Sequence, residues 1–380
     1  MNNNKNVKNT SKQSVGLKIL TTTLVSIFSF LLIGILAVTS LLFIWSPGEA
    51  KPLMDENGEV MINSLSEKTF IKVNGTTQGM FIKSANTNNP VLLFLHGGPG
   101  MPEYFLTQQY PTRLENDFTV VWWDRRGAGL SYSPNISKET LTIEQSIIDT
   151  IAVTNYLRDR FGKEKIYLMG HSGGSFIGIQ VAKRAPELYY AYIGMAQMVY
   201  QVKSEKLAYE YMLPKYREMG DTRMVRLLEN NPVTLSVPLP LGYEKIRDEA
   251  MHRLGVGSTR DMDSVITGVF LPSWKFPEYT LKEKINLWKG KFFTHSAMWN
   301  EMIATDLTQN FTEFDLPIYF LEGKYDYTCS YELAKEYFSM ISAPNKNFYT
   351  FENSAHSPIF EEPEKMHDVL KEITQNTSEQ

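Results

Sequence analysis

The 380-residue sequence predicts an α/β protein: a mostly parallel central sheet with helices on both faces. A helical cap is expected inside it, before the last strands, and one transmembrane helix ahead of it. Three observations lead there. Short apolar runs alternate with longer segments of helical period, the pattern of strands buried on both faces and joined by helices. That rhythm lapses between residues 198 and 306, where the sequence is helical, irregular and rich in Tyr, Met, Trp and Pro. Residues 19–45 form 27 consecutive positions without a charge.

Residues 1–18 read as a polar cytoplasmic tail carrying Lys5, Lys8, Lys12 and Lys18 and no acidic residue. The charge-free stretch 19–45 exceeds the roughly 20 residues needed to cross a bilayer. A cleaved signal peptide has an apolar stretch of roughly 7–15 residues ending in small side chains. Here Phe43-Ile44-Trp45 leads into Ser46-Pro47-Gly48, so an uncleaved single-pass anchor is expected. The lysines place the N-terminus in the cytoplasm and everything after about residue 46 outside it. After a connector, 46–65, a hairpin is expected from 69–73 and 79–83 around Asn74-Gly75. Strands follow at 91–95, 119–123, 166–169, 192–196, 318–321 and 348–351. Residues 142–161 read as a helix, with Thr142 and Gln145 as a capping box and Ile143, Ile147, Ile151 and Leu157 as its apolar stripe. Further helices are expected at 176–184 and 363–373. The core then comprises 66–197 and 307–375, and the cap 198–306.

Composition narrows the functional classes. With 38 basic and 42 acidic residues the net charge is −4, and 43% of residues are hydrophobic. These are globular proportions without the basic excess that a nucleic-acid partner would require. Cys329 is the single cysteine, so neither an intrachain disulfide nor a Cys-based metal cluster can form. No metal or cofactor is expected.

The chemistry concentrates in four places. Residues 166–169 run into Gly170-His171-Ser172-Gly173-Gly174 and then a helix. A serine on a sharp strand-to-helix turn needs small neighbours and is raised above the sheet as a nucleophile. It also needs a base. Of six histidines, His356 lies in a loop after a strand and before the last helix, the place of the base in the chain order Ser, acid, His. His252, His295 and His367 lie in helical or cap sequence and are expected to serve surface or packing. His171 is inside the turn and poorly placed to be the base. The acid that orients His356 should end the preceding strand; Asp326 is the first choice and Glu322 the rival. Finally, His96-Gly97-Gly98-Pro99-Gly100 follows an apolar strand, and its amides can meet a developing oxyanion. Gly98 and Gly173 are the expected donors, with Gly97 the alternative. His96 is expected to hold this loop by hydrogen bonds.

These residues, from about 66 to 374, resemble the α/β-hydrolase fold. The His-Gly-Gly-Pro-Gly loop at 96–100 and Asp124-Arg125-Arg126-Gly127-Ala128-Gly129-Leu130-Ser131 resemble the proline iminopeptidase family of serine peptidases. Arg125 replaces that family's usual glutamine. The resemblance implies a Ser172–His356–Asp326 triad that passes through an acyl-enzyme and releases an N-terminal residue from a peptide. It also implies an acidic cap residue that holds the substrate amine, and the Asn300-Glu301 pair matches the family there, giving Glu301. Tyr327 stands where some relatives carry a second glutamate. The expected partners are a small peptide or ester and the membrane, through the N-terminal helix; oligomeric state is not indicated. A carboxylester, lactone or lipid hydrolase with the same triad is the alternative.

Overall fold

A computed structural model describes residues 4–378; residues 1–3 of the expected tail, and the last two of the chain, lie outside it. The first helix, α1, spans Asn4–Ile44, and its segment Leu17–Ile44 is 28 residues long with a mean hydropathy of 2.7 and none of it buried. By length and composition this segment can cross a membrane.

Eight strands form one sheet: β1 (Leu65–Val73), β2 (Thr76–Ser84), β3 (Val91–Leu95), β4 (Thr119–Trp123), β5 (Ile166–His171), β6 (Tyr189–Met195), β7 (Ile318–Gly323) and β8 (Lys346–Phe351). Their order is β1-β2-β4-β3-β5-β6-β7-β8. β1 and β2 pair antiparallel, as do β2 and β4, and every later pair is parallel. Asn74 and Gly75 both have positive φ, the geometry a two-residue hairpin turn demands. The expected α/β sheet is therefore present, with each strand within three residues of its expected bounds except in the hairpin, where both strands are longer.

The apolar runs are continuous because both faces of the sheet are covered. Leu93 and Leu95 of β3 and Leu168 of β5 enter one core with α2 (Ile143–Phe161) and α3 (Gly173–Arg184). Leu92, Phe94, Tyr167 and Met169 enter the other, which two C-terminal helices close. Each fully buried Leu or Phe contributes about 1.5–3 kcal/mol. Thr142 caps α2 by accepting the Gln145 N–H at 3.0 Å, but the Gln145 side chain donates to Asp149 instead of back to the cap, so half of the expected box forms.

Between β6 and β7 lie α4 (Gln201–Glu218), α5 (Thr222–Glu229), α6 (Leu241–His252), a π-helical turn (Ile266–Phe270), α7 (Leu271–Lys275) and α8 (Leu281–Ala304). This is the helical cap. It rests on the core through Gly290, where an added Cβ would lie 2.7 Å from the Gly127 carbonyl oxygen. After β7 come α9 (Tyr331–Met340), α10 (Pro358–Glu361) and α11 (Pro363–Ser378).

The turn beneath Gly290 is held by Asp124, which is buried and accepts the Leu130 N–H at 2.7 Å. Burial pushes its carboxyl up to about 8, against the opposing pull of that hydrogen bond. An acid whose folded pKa is raised contributes stability that is complete below its unfolded value and lost as pH rises through the folded one. Stability should therefore fall progressively as pH rises from about 4 to about 8, at up to about 1.4 kcal/mol per pH unit, and level off above that. Asp124→Asn keeps an acceptor for Leu130 and removes the charge, so its urea midpoint should change less between pH 5 and pH 8. Equal slopes for the two proteins would refute this role.

Candidate active site

Ser172 stands between β5 and α3 with φ 54°, a conformation that non-glycine residues rarely hold outside functional sites. Its neighbours explain the glycines of the motif. A Cβ on Gly170 would lie 2.6 Å from the Gly174 carbonyl oxygen, and one on Gly174 would strike the carbonyl of Leu95. The Ser172 N–H donates to the Met195 carbonyl at 3.0 Å, pinning the turn to the end of β6.

Behind the serine, His356 Nδ1 lies 2.8 Å from Asp326 Oδ2, and both residues are buried. The other carboxylate oxygen of Asp326 accepts the N–H groups of Thr328 and Cys329 at 2.7 and 2.9 Å. Glu322 points elsewhere: it is buried, accepts the Gln197 N–H at 2.9 Å, and burial lifts its carboxyl well above the usual range. The structure thus brings Asp326, not Glu322, to the imidazole. Ser172 Oγ has Cys329 Sγ at 3.9 Å as its side-chain partner rather than His356. Hydroxyl–imidazole contacts of this kind are often loose without substrate.

The loop after β3 is fixed by residues far along the chain. Gly97 donates its N–H to Glu103 Oε1 at 3.0 Å. The amides of Gly98 and Gly173 have no acceptor among the described residues and lie on the two sides of one close approach: a Cβ on Gly173 would be 2.5 Å from the Gly98 carbonyl oxygen. His96 accepts the Arg125 N–H at Nε2, 3.2 Å away, which leaves the Nδ1 hydrogen for the Gly97 carbonyl at 2.9 Å. Burial, with Arg125 adding to it, holds this imidazole well below its usual pKa, so it is neutral. The Arg125 guanidinium donates to the carbonyls of His96 and Gly98 at 2.9 and 3.1 Å. Burial pulls its pKa down to about 10 while Glu103 opposes it.

Glu103 and His171 form the contact that sequence reading missed. Glu103 Oε1 is 2.7 Å from His171 Nδ1, and His171 Nε2 is 2.8 Å from the His356 carbonyl oxygen. Burial lowers the His171 pKa, but the charge and hydrogen bond of Glu103 outweigh it and the net shift is upward. Both ring nitrogens face acceptors, which suits a doubly donating imidazolium.

Above these groups lies a cavity of about 420 Å³ lined by Ser172, Gly98, Gly173 and His356 on the core side. Its cap wall includes Glu244, Arg247, Lys291, His295 and Trp299. Arg247 is paired with the buried Glu205 at 2.7 Å and with Asp248 at 2.9 Å. Glu244 makes no ion pair among the described residues, and burial raises its carboxyl pKa. Lys291 lies 5.2 Å from the Trp288 ring and is pushed down by burial, with Asp248 opposing.

Glu301 is not in this wall. It is exposed on α8, as is Asn300. Lys291, His295 and Trp299, four residues apart, face the cavity together with Phe292, and Glu301 lies about 200° around the helix from Trp299. Glu301, where the resemblance implies the substrate amine, is therefore outside the cavity lining. Among the cap aromatics, Phe292 and Trp299 line the cavity; Tyr216 is cap core and Tyr211 stacks on Tyr327 at 4.1 Å. His367 pairs with Asp117 at the surface, and His252 bonds the Asp248 carbonyl.

A profile of the alpha/beta hydrolase fold matches residues 90–363. The probable aminopeptidase YbaC of Bacillus subtilis (strain 168) is 34% identical over 297 residues, covering 77% of this chain and 91% of the relative. The proline iminopeptidase of Saccharolobus solfataricus is 24% identical over 305 residues, covering 77% and 86%. Among solved structures, the proline iminopeptidase of Mycobacterium smegmatis shares the fold, with a TM-score of 0.57 at 14% identity over 82% of this chain and 99% of that one. The chain belongs to the α/β-hydrolase fold family, as a serine hydrolase similar to the proline iminopeptidases.

Proposed function

We propose that this protein is a membrane-anchored aminopeptidase that releases an N-terminal residue through a Ser172–His356–Asp326 triad and an acyl-enzyme. One observation carries the reading: a single cavity holds Ser172, the Asp326-bound His356 and a cap carboxylate, Glu244, that makes no ion pair among the described residues. Ser172 Oγ attacks the scissile carbonyl carbon as His356 Nε2 takes its proton. Asp326 keeps the ring in the tautomer with hydrogen on Nδ1 and stabilises the imidazolium that forms. The N–H groups of Gly98 and Gly173 receive the charge that develops on the carbonyl oxygen. His356 returns the proton to the leaving amine, and water then opens the ester by the same route. No metal or cofactor enters this scheme.

Glu244 supplies the counter-charge that a free amine requires inside a partly dry cleft. The names of the relatives point to a free N-terminal residue, and the position of Glu244 fits that substrate. The helix Leu17–Ile44 is the anchor, with the N-terminus cytoplasmic and the catalytic body outside. In cell fractions the full-length chain is expected in the membrane and resistant to alkaline carbonate; a shorter soluble form would show that the helix is a cleaved signal.

Ser172→Ala should lower prolyl-naphthylamide turnover by about 10³-fold or more. If the wild type cleaves acyl esters and leaves prolyl-naphthylamide intact, the peptidase reading is lost in favour of an esterase. Glu244→Gln should raise KM for free-amine substrates about tenfold, roughly the 1.4 kcal/mol of one weakened charge-assisted contact, and spare ester hydrolysis. Glu301→Gln should leave both unchanged, and the reverse pattern would return the amine site to α8. Glu103→Gln should lower kcat by about 10–100-fold with little change in KM, since it acts by positioning two loops. A KM effect alone would assign Glu103 to substrate binding.

A further inference from the structure

The cap carries an apolar face that the catalytic reading does not use. On α8, Leu281, Ile285, Trp288 and Phe292 recur at i, i+4, i+7 and i+11, and Ile285 and Phe292 are exposed at 38% and 65%. Phe270 of the π-helical turn packs on Trp288 with ring centroids 5.0 Å apart, and Ile266 and Leu271 beside it are exposed too. Isolated exposed apolar residues need no explanation, but a contiguous group does.

Two further observations say what covers it. Lys284, about a sixth of a turn from this stripe, donates from Nζ to the Trp45 carbonyl at 2.7 Å and to the Trp274 carbonyl at 2.6 Å. The Gly48 N–H donates to the Pro277 carbonyl at 2.9 Å. The chain leaving the end of α1 is thereby fastened to α7 and the first turn of α8, and Ile285 to Phe292 spans only about 10 Å of helix from there. The flanks of the face carry Lys275, Lys282 and Lys289, all exposed and without an ion pair among the described residues. Apolar residues flanked by unpaired lysines match the interface of a bilayer with anionic headgroups.

We infer that this cap face, Ile266 to Leu271 with Ile285, Trp288 and Phe292, lies in the headgroup layer of the membrane that α1 spans. The inference rests on the anchor reading above and adds an orientation to it. Phe292 and Val269 also line the catalytic cavity, so the opening borders the lipid surface. Substrates with an apolar tail held in the bilayer then reach Ser172 without leaving the interface.

The test uses the full-length chain in a Cys329→Ser background, reconstituted in vesicles of phosphatidylcholine and phosphatidylglycerol. An environment-sensitive fluorophore is attached through Phe270→Cys, Ile285→Cys or Phe292→Cys, with Leu31→Cys as the anchor site and Lys335→Cys as a site on α9. Labels at 270, 285 and 292 should shift to the blue and be quenched by a headgroup-level nitroxide lipid, while the label at 335 is not. Quenching at 31 with 270, 285 and 292 behaving like 335 would overturn this orientation and leave the anchor standing. A blue shift at those three sites without lipid quenching would mean that protein covers the face, and also overturns it. No quenching at 31 by a deep nitroxide would remove the anchor and this inference together.

Discussion

The Glu103–His171 ion pair is the contact on which the site's geometry depends. One carboxylate oxygen receives both the Gly97 N–H and the His171 ring, and the far side of that ring holds the His356 carbonyl. Three segments remote in sequence, the loop after β3, the serine turn and the base loop, are thus fastened to one buried pair. Burying a charge is unfavourable unless a partner neutralises it, so neither member can be lost without stranding the other. The contact also selects among backbone donors: with the Gly97 amide taken, the next free N–H along the loop is that of Gly98.

Arg125 gives this arrangement a second layer. Its guanidinium spans the carbonyls of His96 and Gly98, while its own N–H is received by the neutral His96 ring. A planar group with several donors can hold two carbonyls at once, which suits arginine at this position. It also brings a positive charge beside the Gly97–Gly98 loop that lines the cavity. The charge is buried, and Glu103 is the acid that offsets it. Loop shape and loop charge therefore have the same two residues behind them.

The parts of the site legible in the sequence were those set by local backbone geometry. The Gly-His-Ser-Gly-Gly turn needs its glycines because helix and strand backbones meet there, and that need is written within five residues. Strand ends after β7 and β8 likewise placed Asp326 and His356. Glu103 and Glu244 gave no such signal. Each matters through partners or neighbours brought close by the fold, and an isolated glutamate in a loop or an amphipathic helix looks like any solvated one. The N-terminal helix was plain from composition, whereas its docking on α7 and α8 depends on a lysine no motif marks.

Glu301 shows how the facing of a helix is set by contacts remote from the residue itself. The direction of every side chain on α8 follows from where its first turns are fixed. Thr280 and Glu283 form a reciprocal cap, and Glu283 also pairs with Lys68 of β1 at 2.9 Å. Lys284 is held by two carbonyls, and Gly290 fits against the 127–129 turn where a larger residue would collide. These contacts leave no rotational freedom about the helix axis. At about 100° per residue they carry Lys291, His295 and Trp299 to the cavity and turn Glu301 to solvent. The carboxylate on the cap wall comes from another element, α6, which carries Glu244 to the cavity.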